Sequence, residues 1–231
     1  MKNSYDLEKH LDAKYHKILN YDKIEIDNPD RYHPISLLYF DRLRMIISII
    51  KRAFPIPDQI RIGDFACAQG NMSLLLAEMG YKVFAVDINP TFIEYSKMKY
   101  ERGEIEWIVG NVDELNFSAN MLDVAIMGEL IEHCAYPEKI IEKVVRCVRL
   151  GGLLILTTPN GARIKTRLPT FRQVFSQEQR KIFEERQFGP GGENHLFLFK
   201  LEEIKYIIPE NANIIEKGYL GSTILVNKYS H

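Results

Sequence analysis

The sequence predicts an α/β protein on a doubly wound, mostly parallel seven-stranded sheet with an antiparallel C-terminal hairpin. Three observations carry this. From residue 59 onward, short β-rich runs alternate with helical segments of 9 to 14 residues. The helical segments start or stop on punctuation residues: Pro90 opens one, and Gly80 and Gly103 end two. Two late β-rich runs, near 212–218 and 222–228, are separated by GYLG, which reads as a hairpin closing the sheet edge.

The elements follow in order. LLYFDRLRMIISIIKRAF (37–54) has apolar residues at helical spacing and meets Pro55, so it reads as one amphipathic helix. QIRIGDF (59–65) is the first strand, MSLLLAEMG (72–80) a helix, and YKVFAVD (81–87) the second strand. PTFIEYSKMKYERG (90–103) is a helix, and EIEWIVG (104–110) and MLDVAIMG (121–128) are strands. YPEKIIEKVVRCVRLGG (136–152) reads as a helix closed by glycines, and LLILTTP (153–159) as the fifth strand. LEEIKYII (201–208) is a short late helix. One domain is expected: a helical lid (1–55), a ligand-binding core (56–160), an insertion (161–194) and a C-terminal sheet edge (195–231).

Composition narrows the classes. With 231 residues, 46% hydrophobic and 26% charged, the chain can bury one full core. A net charge of −1 gives no global field toward nucleic acid or membrane. Cys67, Cys134 and Cys147 are odd in number and lack a C-x-x-C, so reduced thiols in a cytoplasmic protein are expected. The charged opening MKNSYDLEKH has no signal-peptide run, and no apolar run approaches a membrane span.

GDFACAQGN (63–71) forms the turn after the first strand, where open α/β sheets bind ligands. It departs from G-x-G-x-x-G, the spacing that seats a pyrophosphate on bare backbone. Its small residues are Ala66, Ala68 and Gly70, and Asp64 would repel a pyrophosphate. A carboxylate suits a cationic cofactor without phosphate, such as S-adenosylmethionine. Asp87 lies 23 residues after Asp64, at the end of strand two, placed to accept both ribose hydroxyls. Singly, each acid reads as a turn or helix-cap residue; their order along the chain favours the cofactor.

This acid-and-small-residue turn resembles the first motif of the class I methyltransferases, and the resemblance runs from about residue 59 to 160. It implies a Rossmann-like fold and S-adenosylmethionine as cofactor. GNVDELNF (110–117) is similar to the family's segment beside adenine, with Asn111 in the acid's place and Val112 next to it. The implied cofactor residues are Asp64, Phe65, Ala66, Cys67, Gly70, Asp87, Ile88, Asn111, Val112 and, toward the methionine end, Glu129. At the two alanines that replace glycine, we expect ordinary φ or a looser approach.

MGELIEHC (127–134) follows strand four and should open a short helix, with Glu129 and His133 on one face. His195 appears in ENHLFLF (193–199). In one reading His133 is a general base for a hydroxyl acceptor, oriented by Glu129 or Glu132, with His195 nearby. This E-x-x-E-H segment resembles the small-molecule O-methyltransferases of ubiquinone biosynthesis, and no metal is then needed. In another, Glu129, Glu132, His133 and His195 resemble the metal set of RNA 3′-terminal 2′-O-methyltransferases. In the blandest, Glu132 pairs on the surface and His195 packs beside Phe197 and Phe199.

Residues 161–192 carry Arg163, Lys165, Arg167, Arg172, Arg180, Lys181 and Arg186 against three glutamates, a local net of +4. A basic lid there favours a small anionic acceptor, such as a sugar or sugar-phosphate derivative, over nucleic acid. A solvated surface segment is the alternative. Pro190-Gly191-Gly192 is a hinge or a turn. DRYHPISLLYFDRLR (30–44) resembles the segment before the core in quinone O-methyltransferases, which implies Arg42 or Arg44 at the methionine carboxylate. A non-catalytic cofactor-binding partner subunit and a dehydrogenase are the remaining alternatives. The oligomeric state is not written in the sequence.

Overall fold

The computed structural model of the chain describes residues 1–30, 32–163, 167–174, 176–187, 195–210, 212–220 and 223–230. Two compact units make it up, Met1–Leu115 and Asn116–His231. The architecture is α/β and Rossmann-like: parallel pairs join β1 to β2, β2 to β3 and β4 to β5, and the last two strands run antiparallel.

The first unit begins with helices α1 (Ser4–Glu8), α2 (His16–Glu25) and α3 (Pro34–Ala53). Leu43, Ile46, Ile49 and Ile50 of α3 are buried, so its periodic apolar face is its packed face. Then come β1 (Arg61–Phe65), α4 (Asn71–Glu78), β2 (Lys82–Asp87), α5 (Pro90–Lys99) and β3 (Glu104–Val109). Phe65 pairs with Val86, and Asp87 with Val109. This register brings the turn after β1, Asp87 and the Gly110-Asn111 step to one end of the three strands. Helix α5 stops at Lys99, short of the expected Gly103, because Tyr100 is extended and its hydroxyl donates to the Gly103 carbonyl. Gly103 has φ 106°, and a Cβ there would lie 2.5 Å from the Ala77 carbonyl oxygen.

The second unit holds β4 (Leu122–Gly128), α6 (Pro137–Cys147), β5 (Val148–Pro159), α7 (Gln177–Arg186), β6 (Ala212–Leu220) and β7 (Thr223–Ser230). The helix expected over 136–152 ends at Cys147, because Val148 turns extended and pairs with Leu122. Gly152 serves strand packing instead of capping: a Cβ there would meet the Asp123 carbonyl oxygen at 2.7 Å. The helix expected at 201–208 is a 3-10 turn, Leu201–Tyr206. The hairpin is present as β6 and β7, with Leu220 opposite Thr223; Gly221 lies outside the described residues. Among the described residues, no helix is long and apolar enough to cross a membrane. The three cysteines are buried free thiols.

Candidate functional site

The turn after β1 passes through the left-handed region three times: Ala66 at φ 61°, Ala68 at 47° and Gly70 at 73°. This corrects the expectation of ordinary φ at the alanines: the backbone keeps a glycine-type path although a Cβ is present. Hydrogen bonds hold that path. The Cys67 N–H donates to the Val86 carbonyl at 2.9 Å, the Ala68 N–H to Asp87 Oδ2 at 2.8 Å, and the Gly70 N–H to the Cys67 carbonyl at 2.8 Å. Only Gly70 is sterically obligatory, since a Cβ there would lie 2.6 Å from Ser96 Oγ.

Asp64 is buried and accepts from Ser73 Oγ at 2.5 Å, so it fixes the first turn of α4. Burial lifts its carboxyl to about 6, against the pull of the Ser73 hydrogen bond. Asp87 is also buried, and its carboxyl is raised by desolvation. Its oxygens accept the N–H groups of Asn89 and Ala68, both at 2.8 Å, and each retains a second lone pair. The α5 cap falls to Asn89, which accepts from the Thr91 N–H, and not to Asp87.

Ile88, beside Asp87, is 49% exposed, an apolar face at the open end of β2. Phe65 and Cys67 bury their side chains, so they offer the turn only backbone, and burial pushes the Cys67 thiol up. Asn111 Oδ1 accepts from the Asp113 N–H at 3.1 Å, and Asn111 and Val112 are half-buried.

Of the two arginine candidates, Arg42 is half-buried over the Tyr39 ring, 5.0 Å from its centroid. Its charge draws down the carboxyls of both Asp64 and Glu25. Arg44 is 77% exposed, 3.9 Å from Asp41 on the same helix. The structure therefore sets Arg42 among the acids of the turn and Arg44 in solvent.

A polar cluster beneath the turn escaped the sequence reading. Lys99 Nζ lies 2.7 Å from Asp22 Oδ2 and 2.5 Å from Asn71 Oδ1. Asn71 Nδ2 donates to Asp22 Oδ1 and to the Tyr39 hydroxyl, and the Tyr95 hydroxyl donates to Asp22 Oδ2. Gln69 Nε2 donates to Glu25 Oε2 at 2.5 Å. Desolvation lowers the Lys99 pKa, with Asp22 opposing it. No spacing signal links residues so far apart in sequence as Asp22 and Lys99.

In the second unit, the expected helix after β4 is a 3-10 turn, Ile131–His133. Glu129 stands outside it with φ 53°, and its N–H donates to the Thr157 carbonyl, so it shares no helical face with His133. The turn instead gathers Glu132, His133 and His195, one ligand atom from each, all within 4.8 Å of one another. Glu132 has no exposure, which overturns its surface reading; its Oε2 accepts from Thr158 Oγ1 at 2.9 Å. The Leu196 N–H donates to the Glu132 carbonyl and draws His195 alongside. His195 Nε2 stands 4.0 Å from Glu132 Oε1, and the two imidazoles meet edge to face at 4.9 Å. Burial lowers the His195 pKa, favouring the neutral ring. Phe197 and Phe199 pack with Phe171, ring centroids at 5.5 and 4.9 Å.

The insertion is less uniformly basic at its surface than its sequence. Arg180 is buried, ion-paired with Glu138 and laid over Tyr136 and Phe171. Arg163 and Arg172 lie over Tyr219 and Tyr206. Arg167 borders an open cavity of about 530 Å³ with Leu168, Val174, Ile182 and Phe183. Lys165, Phe175, Phe188 and the Pro190-Gly191-Gly192 hinge lie outside the described residues.

Residues 63–156 match the family described as a methyltransferase domain. The ubiquinone biosynthesis O-methyltransferase of Mesorhizobium japonicum is 26% identical over 133 residues, 56% of this chain and 53% of that one. The chain spans about half the length of the curated relatives it matches. Two solved structures share the fold. A Pyrococcus horikoshii protein has a TM-score of 0.65 at 16% identity, over 96% of this chain and all of its own. The magnesium protoporphyrin IX methyltransferase of Synechocystis, solved with bound S-adenosylhomocysteine, has a TM-score of 0.61 at 13% identity, over 93% of this chain and 100% of that one. With a left-handed small-residue turn, a buried acid, Asp87, at the end of β2 and this family match, residues 63–156 form a class I, S-adenosylmethionine-dependent methyltransferase domain.

Proposed function

We propose that the chain transfers a methyl group from S-adenosylmethionine to a hydroxyl of a small acceptor, anionic in character, such as a sugar or sugar-phosphate derivative. The observation that carries this reading is the Glu132–His133–His195 cluster in a chain whose cofactor turn carries two buried acids. The cofactor fits the turn: burial raises the Asp64 and Asp87 carboxyls, so a cationic, phosphate-free ligand that restores their ionised form is favoured there over a pyrophosphate, which that form would repel. Asp87 would hold the ribose, Ile88 and Val112 would flank the adenine with Asn111 at its amino group, and Arg42 would hold the methionine carboxylate. Glu129 is a candidate for the methionine end. Bound there, the cofactor supplies an electrophilic methyl for in-line displacement.

His133 removes the acceptor proton in this reading. His195 is the second imidazole beside it, and the buried Glu132 carboxylate stabilises the positive charge that His133 gains. Thr158 fixes that carboxylate. Arg167 is the described arginine of the insertion that borders an open cavity, which suits an anionic group on the acceptor.

The same cluster favours a second reading. A fully buried carboxylate and two imidazoles within 4.8 Å fit a divalent cation of the manganese, iron or zinc type. Glu132, His133 and His195 would hold it, and it would supply Lewis acidity to the acceptor hydroxyl. RNA 3′-terminal 2′-O-methylation belongs to this reading; a cofactor-binding partner subunit without turnover is the non-enzymatic one.

Transfer of label from methyl-labelled S-adenosylmethionine into host extract, split into small-molecule, saccharide and RNA fractions, separates them. Label in the first two that survives EDTA supports His133 as base. Label lost with EDTA moves the three residues to the cation, and label in RNA overturns the small acceptor. No label in any fraction, with cofactor binding intact, supports the partner subunit.

A further inference from the structure

Alanine in the left-handed region carries a steric cost that glycine escapes, and this turn carries it twice, at Ala66 and Ala68. Such a conformation persists where its surroundings over-determine it. Here the surroundings are specific. The residues that follow the alanines are tied by their side chains to three different helices. Gln69 bonds Glu25 of α2; Asn71 bonds Asp22 of α2, Tyr39 of α3 and Lys99 of α5. Ser96 Oγ of α5 donates to the Phe92 carbonyl at 2.8 Å and lies 3.3 Å from the Ala68 carbonyl oxygen. The Lys99–Asp22 pair at the centre is 2% exposed on each side. A buried pair of this kind gains little net stability over an apolar replacement, so specifying a conformation is its better-attested use.

We infer that Asp22, Lys99 and Asn71, with Glu25 and Gln69, are a clamp that holds the alanine turn in the left-handed form the cofactor needs. These are positioning residues. Two of them sit on α2, outside the matched 63–156 span, so the N-terminal helices belong to the cofactor machinery of this chain. A turn with glycines at 66 and 68 would need such a clamp less, which gives the inference its own test. It rests on the reading of the turn as the S-adenosylmethionine site.

The test is a rescue cycle on the full chain. S-adenosylhomocysteine is titrated calorimetrically into wild type, Asp22→Asn/Lys99→Met, and the same variant with Ala66→Gly/Ala68→Gly. Removing both charges together avoids leaving one buried alone. The clamp variant is expected to lose about tenfold in affinity, and the glycines to return it to within about threefold of wild type while the melting temperature stays lowered. Undiminished affinity in the clamp variant, or glycines that restore nothing, overturns the inference. Gln69→Ala, which touches only the Glu25 tie, repeats the cycle if the charge variant does not fold. Hydrogen exchange at the Ala68 amide of the unliganded chain is read in parallel and should quicken in the clamp variant. A wild type that binds no S-adenosylhomocysteine defeats the site reading itself. Exchange at Ala68 then decides the clamp alone, and unchanged exchange overturns it.

Discussion

The Ala68 N–H donates to Asp87 Oδ2 at 2.8 Å, so the acid that ends β2 also shapes the turn that ends β1. In the proposed reading, one carboxylate thus joins loop conformation to ribose recognition. Asp87→Ala removes both at once and should cut S-adenosylhomocysteine affinity by about a hundredfold or more, the loss of roughly two hydrogen bonds to a charged group. Asp87→Asn keeps one acceptor oxygen and should lose less. Equal losses in calorimetric titrations of the two variants would count against the double role.

The left-handed alanines make a stability prediction with an uncommon sign. Left-handed alanine costs about 1–2 kcal/mol, and glycine gives back about 0.4–1 kcal/mol through the freer unfolded chain. Ala66→Gly and Ala68→Gly should each raise the melting temperature by about 1–2 °C in a chain of this size. A fall of that size in thermal melts would show that the alanines are not strained.

Two carboxyls set a pH dependence. Burial lifts Glu25 to about 7 from 4.5 and Asp64 to about 6 from 3.8. For groups raised in the folded state, the stability they contribute is full below the unfolded values and is lost as pH climbs through the folded ones. The unliganded chain should therefore lose stability between about pH 4 and 7 from these groups. A cationic cofactor favours their ionised forms, so S-adenosylmethionine should bind more tightly from pH 5.5 toward pH 8, releasing protons. Glu25→Gln should flatten the upper part of that curve. Calorimetry in buffers of different ionisation enthalpy checks it; a flat affinity with no proton release contradicts it.

The second unit predicts a separation of binding from turnover. His133→Ala should reduce methyl transfer by about 10²–10⁴-fold, the usual weight of a general base, with S-adenosylhomocysteine affinity within about threefold of wild type. Glu132→Gln keeps shape and the Thr158 contact but removes charge, and should lower turnover in the same direction. Turnover unchanged in both variants would leave the cluster without a catalytic part.

The strand–helix alternation was legible because period and punctuation are local, and so was the order Asp64, small-residue turn, Asp87. The φ values at Ala66 and Ala68 were not, since alanine rarely goes left-handed and the bonds around the turn, to β2 and to side chains of α2, α3 and α5, join residues far apart in sequence. The E-x-x-E-H segment picked out two residues of the Glu132–His133–His195 cluster, but through a helical spacing that the structure does not have. Glu129 at φ 53° breaks the helical spacing, and a backbone bond from Leu196 to Glu132 brings in His195 from 62 residues away. The Asp22–Lys99 pair was invisible for the same reason: it spans 77 residues and becomes a contact only when α2 packs on α5.

The measurement that bears most directly on the account is calorimetric titration of the wild-type chain with S-adenosylhomocysteine and, separately, with NADH. Saturable one-to-one binding of S-adenosylhomocysteine with none of NADH is the expected result. Binding of NADH without S-adenosylhomocysteine would place a dinucleotide on the turn and contradict the account at its root.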